Sequence, residues 1–213
     1  MTRAVGTLLF SMLVCAALTA QDLTPIQLPG PDTTGGRPLM QVLKDRRSAR
    51  EFSADTLPLP VLSNLLWAAC GVNRAETGKR TAPSAVNWQE IDVYVATAHG
   101  LYVYEPKQHV LLPVLPEDIR ERTGVQPFVK DVPVNLVYVA DFAKISRGSD
   151  SAKAWYSAAD AAFIGENVYL FCASEGLATV IRGSVERDSL AAAMRLRPEQ
   201  RVVLAQSVGY PKK

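Results

Sequence analysis

The segment Lys44-Asp45-Arg46-Arg47-Ser48-Ala49-Arg50 sets four cations and a hydroxyl against a single acid. Arginine presents a planar fork that matches a phosphate bidentately, and Ser48 adds a further donor, so the grouping has the chemistry of an anion site. An isolated basic run is more often a solvated surface than a site. Here two further segments carry usable groups. Ala82-Pro83-Ser84-Ala85-Val86-Asn87-Trp88-Gln89 offers the Asn87 amide, which can both donate and accept; its plain alternative is ordinary turn chemistry. Gly176-Leu177-Ala178-Thr179-Val180-Ile181-Arg182-Gly183 offers Arg182 near its end, with a surface arginine beyond a strand as the alternative. Other chemistries lack their residues. His99 and His109 are the only histidines and have no cysteines or acids at zinc spacing. No Gly-x-Ser-x-Gly, phosphate-loop or Gly-x-Gly-x-x-Gly motif occurs.

The elements that position these groups follow from periodicity and punctuation. Residues 21–38, rich in Pro, Gly, Thr and Asp, read as an extended lead-in. Leu39, Val42 and Leu43 mark a short helix running into the basic cluster. Pro58 and Pro60 fit the start of a second helix, with Val61, Leu62, Leu65, Leu66 and Ala69 at helical spacing and Gly71 at its end. From Asn73 to Gln89 the chain reads as irregular. Ile91, Val93 and Val95 alternate as a strand, and Leu101–Tyr104 with Val110–Leu112 form a hairpin. Pro116-Glu117-Asp118-Ile119 predicts another short helix. Leu136–Ala140 is apolar throughout, which places it centrally in a sheet. The longest element runs from about Ser151 to Ser174 and is closed by Gly176. It has almost no polar face around Gly165 to Ala173, which predicts burial, with a second subunit as an economical cover. Val202–Ala205 is the last strand. Helices and strands mix without strict alternation, so the fold class expected is α+β.

Composition bounds the function. With 48% hydrophobic residues the chain can build one substantial core, and residues 39–213 read as a single domain. A formal charge of +2, part of it from Arg3, is too balanced for a nucleic-acid or membrane-surface protein. Residues 1–20 read as a secretory signal, with Arg3, an apolar Leu8–Val14 stretch, and Ala16, Ala17 and Ala20 near a cleavage point. Lipid attachment through Cys15 and an uncleaved anchor are the alternatives. Cys70 and Cys172 sit in apolar helical runs, so buried free thiols are expected rather than a disulfide.

Taken in order, these segments resemble the nitroreductase superfamily from about Leu39 to Pro211. Arg46-Arg47-Ser48-Ala49-Arg50-Glu51-Phe52 is similar to the basic-basic-Ser-x-basic-x-Phe pattern of members that contact FMN. The resemblance implies Arg46, Arg47, Ser48 and Arg50 as ligands of its phosphate, ribityl chain and ring. The Pro83–Gln89 stretch resembles the Pro-Ser-(small)-x-Asn-x-Gln loop, which implies Pro83, Ser84 and Asn87 at the flavin, Asn87 at the polar ring edge. Gly176–Gly183 resembles the stretch whose last two residues approach flavin N5, which implies Arg182 and Gly183 there. Many members have Glu where this chain has Arg182, and a cation would favour a negatively charged reduced flavin or attract an anionic substrate. Lys212 and Lys213 stand where relatives continue into basic residues that reach the phosphate; a solvated tail is the other reading.

The resemblance implies a mostly antiparallel central sheet flanked by helices, and a homodimer that buries its long helix in the interface and binds FMN between subunits. It implies a ping-pong oxidoreductase in which a donor, NAD(P)H or an organic substrate, and then a small acceptor use one cavity, with no protein acid or base required. Arg80-Thr81-Ala82-Pro83-Ser84-Ala85 and the short chain look closest to the SagB-type dehydrogenase branch. A dehydrogenase of peptides or small molecules that uses no nicotinamide is therefore one alternative, and a flavin-binding protein without turnover is another.

Overall fold

The computed structural model describes residues 23–212. The signal assigned to residues 1–20, with its Cys15, and Lys213 lie outside them. β1 (Ile26–Gln27) begins the described chain within the expected lead-in. α1 (Leu39–Asp45) then runs directly into the basic cluster. α2 (Leu59–Cys70) begins after Pro58 with Pro60 in its first turn, where a missing N–H costs nothing. It stops at Gly71, where a Cβ would meet the Trp67 ring at 2.4 Å. The stretch expected to be irregular holds a small hairpin of β2 (Val72–Arg74) and β3 (Lys79–Arg80). β4 (Ile91–Thr97), β5 (Gly100–Glu105) and β6 (Val110–Leu115) form a meander. Pro116–Ile119 is not a helix: the chain bends there and makes a single 3-10 turn later, at Arg120–Thr123. Asp118 is engaged in binding Arg120 through its carboxylate, which favours a turn over a helical start.

β7 (Val134–Asp141) is central and buried at every position, as its apolar run requires. α3 (Asp150–Glu175) is capped by the Ser149 hydroxyl accepting from Ala152 N, and ends on Gly176 in the left-handed conformation at φ 70°. β8 (Ala178–Arg182), the short α4 (Arg187–Ala193) and β9 (Gln200–Gly209) complete the chain. The sheet order is β1-β6-β5-β4-β7-β9-β8, and every pairing is antiparallel.

The sheet separates two cores. Leu136, Tyr138 and Ala140 of β7 pack under α2 and α3, while Val137 and Val139 pack with Leu190 and Met194 of the α4 side. Covering both faces explains why β7 shows no apolar–polar alternation. His109 is used structurally. Its ring binds Ser63 Oγ at 2.7 Å, Tyr104 Oη at 2.8 Å and Pro29 O at 3.1 Å, fastening the lead-in to the meander. Cys70 and Cys172 are free and buried, and burial pushes the Cys70 thiol up to about 12.

Candidate active site

β8 is an edge strand, and its outward backbone groups organise the site. Thr179 O accepts from Ala49 N at 2.9 Å, so the basic segment is laid along that edge. Two residues on, Ile181 N donates to Tyr169 Oη at 2.9 Å, and Tyr169 Oη shares a 2.8 Å hydrogen bond with Ser48 Oγ. Alternate residues of an edge strand turn their backbone outward, which makes Gly183 next in the series. Among the described residues its N–H has no acceptor. The segment continues beside the end of β9: Ser53 N donates to Tyr210 O, Phe52 bridges to Pro211, and Lys212 N donates to Glu51 O at 3.3 Å. Lys212 is thereby held near the basic cluster.

A cleft of 460 Å³ opens at this edge, lined among others by Lys44, Arg46, Arg47, Tyr169, Thr179 and Pro211. The Arg46 guanidinium lies 5.3 Å over the centre of the Tyr169 ring. Among the described residues Arg46, Arg47 and Arg50 form no ion pair, although Asp45 is adjacent, because Arg37 takes the Asp45 carboxylate. Three uncompensated guanidinium groups beside free edge donors fit a phosphate-bearing ligand extended along β8. Tyr169 escaped the sequence reading because an aromatic in an apolar helical run looks like core. Its ring is core, but its hydroxyl joins Ser48 to the strand edge.

Asn87 is brought somewhere else. Pro83 and Asn87 are exposed, and the loop between them and Gln89 is fixed to the first half of α3 through Ala85 N and Asp160 Oδ2 at 2.8 Å. Tyr169 lies nine residues further along that helix, about 13 Å at 1.5 Å per residue. One chain therefore does not join Asn87 to the Arg46 cleft. The loop is strained, with φ of 53° at Val86, 59° at Asn87 and 51° at Gln89. Left-handed backbone costs about 1–2 kcal/mol per residue when it carries a side chain, and a β-branched residue such as Val86 is especially unsuited to it.

The structure places Arg182 inside the protein. It is not a surface residue, being 4% exposed. Its guanidinium turns inward and donates to Thr123 O, to Thr123 Oγ1 at 3.4 Å and to Asn135 Oδ1 at 3.0 Å. No acid pairs with it among the described residues, its Nε has no partner, and burial pulls its pKa down to about 10. Gly124 leaves the necessary space, since a Cβ there would meet Nη1 at 1.8 Å. The charge remains, buried one residue before the free Gly183 N–H.

The outer face of α3 is apolar and uncovered. Trp155 is 67% exposed and Phe163 48%, and on α1 Met40 is 76% exposed, beside exposed Leu39 and Leu43. The inner face, including Ile164, Val168 and Cys172, packs on the sheet.

An antiparallel sheet with helices on both faces and a basic cleft at its edge strand define an α+β protein with a site suited to a phosphate-bearing ligand. The chain belongs to the Nitroreductase family, whose profile matches residues 43–210. It is similar to a nitroreductase-type protein of Ralstonia eutropha of known crystal structure, with 44% identity, 92% of each chain covered and a TM-score of 0.86. At the level of fold it is also similar to a chain of the Escherichia coli microcin synthetase complex, with 16% identity, a TM-score of 0.71, and coverage of 97% of this chain and 85% of that one. A third likeness is to the NADPH:FMN oxidoreductase of Vibrio harveyi, solved with NAD+, with 16% identity, a TM-score of 0.63, and coverage of 82% and 69%.

Proposed function

We propose that two copies of this chain hold FMN between them, along the outer edge of β8, and that the pair transfers electrons by a ping-pong sequence in which donor and acceptor use one cavity in turn. The observation that carries the reading is the cleft of 460 Å³ lined by Arg46 and Arg47 at the edge of β8, a strand that leads on to the free Gly183 N–H. Bound FMN supplies two-electron, hydride-exchanging chemistry. The protein supplies binding, orientation and charge. Arg46, Arg47 and Arg50 hold the phosphate, with Lys212 at the margin, while Ser48, oriented by Tyr169, serves the ribityl oxygens. Gly183 N–H faces the reactive ring edge, with the inward-turned Arg182 charge buried one residue before it.

Asn87 with Pro83 and Ser84 completes the site from the other copy. Antiparallel packing of two α3 helices across a two-fold axis near Gly165 would carry the Asp160 end of one helix to the Tyr169 end of the other. Such packing covers Trp155 and Phe163, whose exposure is otherwise unexplained. The electron donor is NAD(P)H or an organic substrate. The second of these is in keeping with the fold likeness to the microcin synthetase chain. Export, read from residues 1–20, favours it too, because NAD(P)H is scarce outside the cytoplasm.

The deciding experiment is the absorbance spectrum of the purified protein followed by reduction under anaerobic conditions with NADH, NADPH and candidate azoline or peptide substrates. A flavin band bleached by NADH, NADPH or a peptide or small-molecule donor and restored by an acceptor is expected. A protein that neither retains nor rebinds FMN sinks the proposal.

A further inference from the structure

Beneath the loop that carries Asn87, two carboxyl groups are buried together without a cation. Glu90 is fully buried at the foot of β4, and Asp160 is buried on α3. Neither forms an ion pair among the described residues. Both bind the loop. Asp160 Oδ2 accepts from Ala85 N at 2.8 Å, and Glu90 Oε2 accepts from Ser84 Oγ at 3.3 Å. Ser84 Oγ in turn accepts from Gln89 N at 2.8 Å, closing the loop on itself. The backbone so held has positive φ at Val86, Asn87 and Gln89, a shape that persists only where the surroundings over-determine it.

The second Glu90 oxygen, Oε1, is buried and accepts no bond of good geometry, and the Ser157 hydroxyl, buried one turn before Asp160 on α3, lies beside the Glu90 carboxyl without completing one. A cavity of 20 Å³ lies between Pro83, Ser84, Glu90 and Asp160, room for one water. The other ionisable groups lining it are Cys70 and Arg80. Burial keeps the Cys70 thiol neutral. Arg80 directs Nη1 to Ile91 O at 3.4 Å and leaves Nε without a partner, so it pairs with neither acid. Two carboxylates at close quarters in a dry site cannot both ionise cheaply.

We infer that Glu90 carries a proton in this buried site and that Glu90 and Asp160 act as positioning residues, clamping the Ser84–Gln89 backbone in the strained shape that turns Asn87 outward. That Asn87 then meets the flavin of the other subunit rests on the reading above; the clamp itself does not. Burial raises Glu90 from the ordinary carboxylate range and the charge of Asp160 adds to the rise, against the pull of its own backbone N–H and of the Ser157 and Ser84 hydroxyls. The folded chain holds this proton more tightly than the unfolded chain does. Its stabilising effect is therefore complete below the ordinary glutamate pKa and is lost as pH rises through the raised value. Above that value two charges face each other under the loop, and the loop loosens.

The test uses the flavin-free protein first. Amide-exchange protection factors, which remove the intrinsic pH dependence of exchange, are measured for Ala85 and Gln89 from pH 5 to pH 9. In the parent they should fall at least tenfold as pH rises. In Glu90→Gln, which keeps the shape and imitates the neutral acid, they should stay high throughout. A flat profile in the parent, or a fall in Glu90→Gln equal to that of the parent, overturns the clamp. Should Glu90→Gln fail to fold, infrared spectroscopy of the parent decides. A buried carboxylic-acid carbonyl band present at neutral pH, lost at high pH and altered by Asp160→Asn is expected, and its absence at every pH overturns the proposal. FMN affinity is then followed over the same range. It should weaken with pH in the parent and not in Glu90→Gln. Exchange that behaves as expected while FMN affinity ignores the loop would place the error in the flavin role of Asn87 and leave the clamp standing.

Discussion

At the scale of single residues, what matters is which charges the protein has left unanswered. Arg46 is the sharpest case on the surface, poised over Tyr169 and paired with no acid among the described residues. A charge-assisted contact to phosphate is worth about 1.5–3 kcal/mol. Arg46→Ala should therefore weaken FMN binding by about ten- to a hundredfold in a fluorescence titration, with thermal stability of the apoprotein unchanged. Arg182 is the sharpest case inside. A buried cation with only neutral partners favours negative charge developing at the adjacent ring edge. Arg182→Gln keeps an amide for Thr123 O and Asn135 while removing the charge, so the flavin midpoint potential should drop. A loss of 1.4 kcal/mol corresponds to about 30 mV for a two-electron couple. A potential within a few millivolts of the parent, read by dye equilibration with FMN still bound, would show that the charge is too far away to matter.

Elements decide whether those residues meet. α3 approaches the sheet closely at Gly165, where a Cβ would lie 2.5 Å from Ile181 Cδ1. That approach brings Tyr169 to Ile181 N and thence to Ser48. Gly165→Leu should lift the helix from β8, lowering stability by about 1–3 kcal/mol in urea unfolding and weakening FMN binding with it. Much of this scaffold was legible beforehand: the long capped helix, the proline-led α2, the buried β7 and the basic segment all follow from local pattern. What was not legible is tertiary. α4 is too short and too rich in alanine to show a period, and β1 is two residues long. β9 runs to Gly209 through polar Gln206 and Ser207, which are buried only because Thr179, Tyr138 and Asn135 meet them. Glu90 and Asp160 are far apart in the chain, and nothing local to either announces the other. The site residues were named by their motifs; their division between two halves of α3 was not.

For the whole molecule, that division would make a dimer, on the proposed reading, a functional requirement rather than a detail of assembly. The exposed Trp155, Phe163, Met40 and Leu39 are too much apolar surface for a lone chain to present to water. The mature protein should sediment as a dimer at micromolar concentration even without flavin, and Phe163→Glu should shift it toward monomer and reduce FMN affinity together. A stable parent monomer would remove the basis for a shared site. The proposed secretory signal is checked by the mass of the protein recovered outside the cytoplasm, which should correspond to a start after Ala17 or Ala20.

The edge position of β8 has a further consequence, for the life of the protein before it is loaded. A strand with free outward N–H and C=O groups is a template on which any other extended chain can add itself. Here the strand is guarded in part by Ala49 and the Tyr169 hydroxyl, and its remaining stretch is the one left for the ligand. On the proposed reading a chain exported unfolded would have to collect FMN after translocation, and until then the β8 edge would be both adhesive and the binding site. Cofactor capture would thus double as protection against self-association. Flavin-free protein warmed gently should scatter light well before the loaded form does, and added FMN should delay the onset.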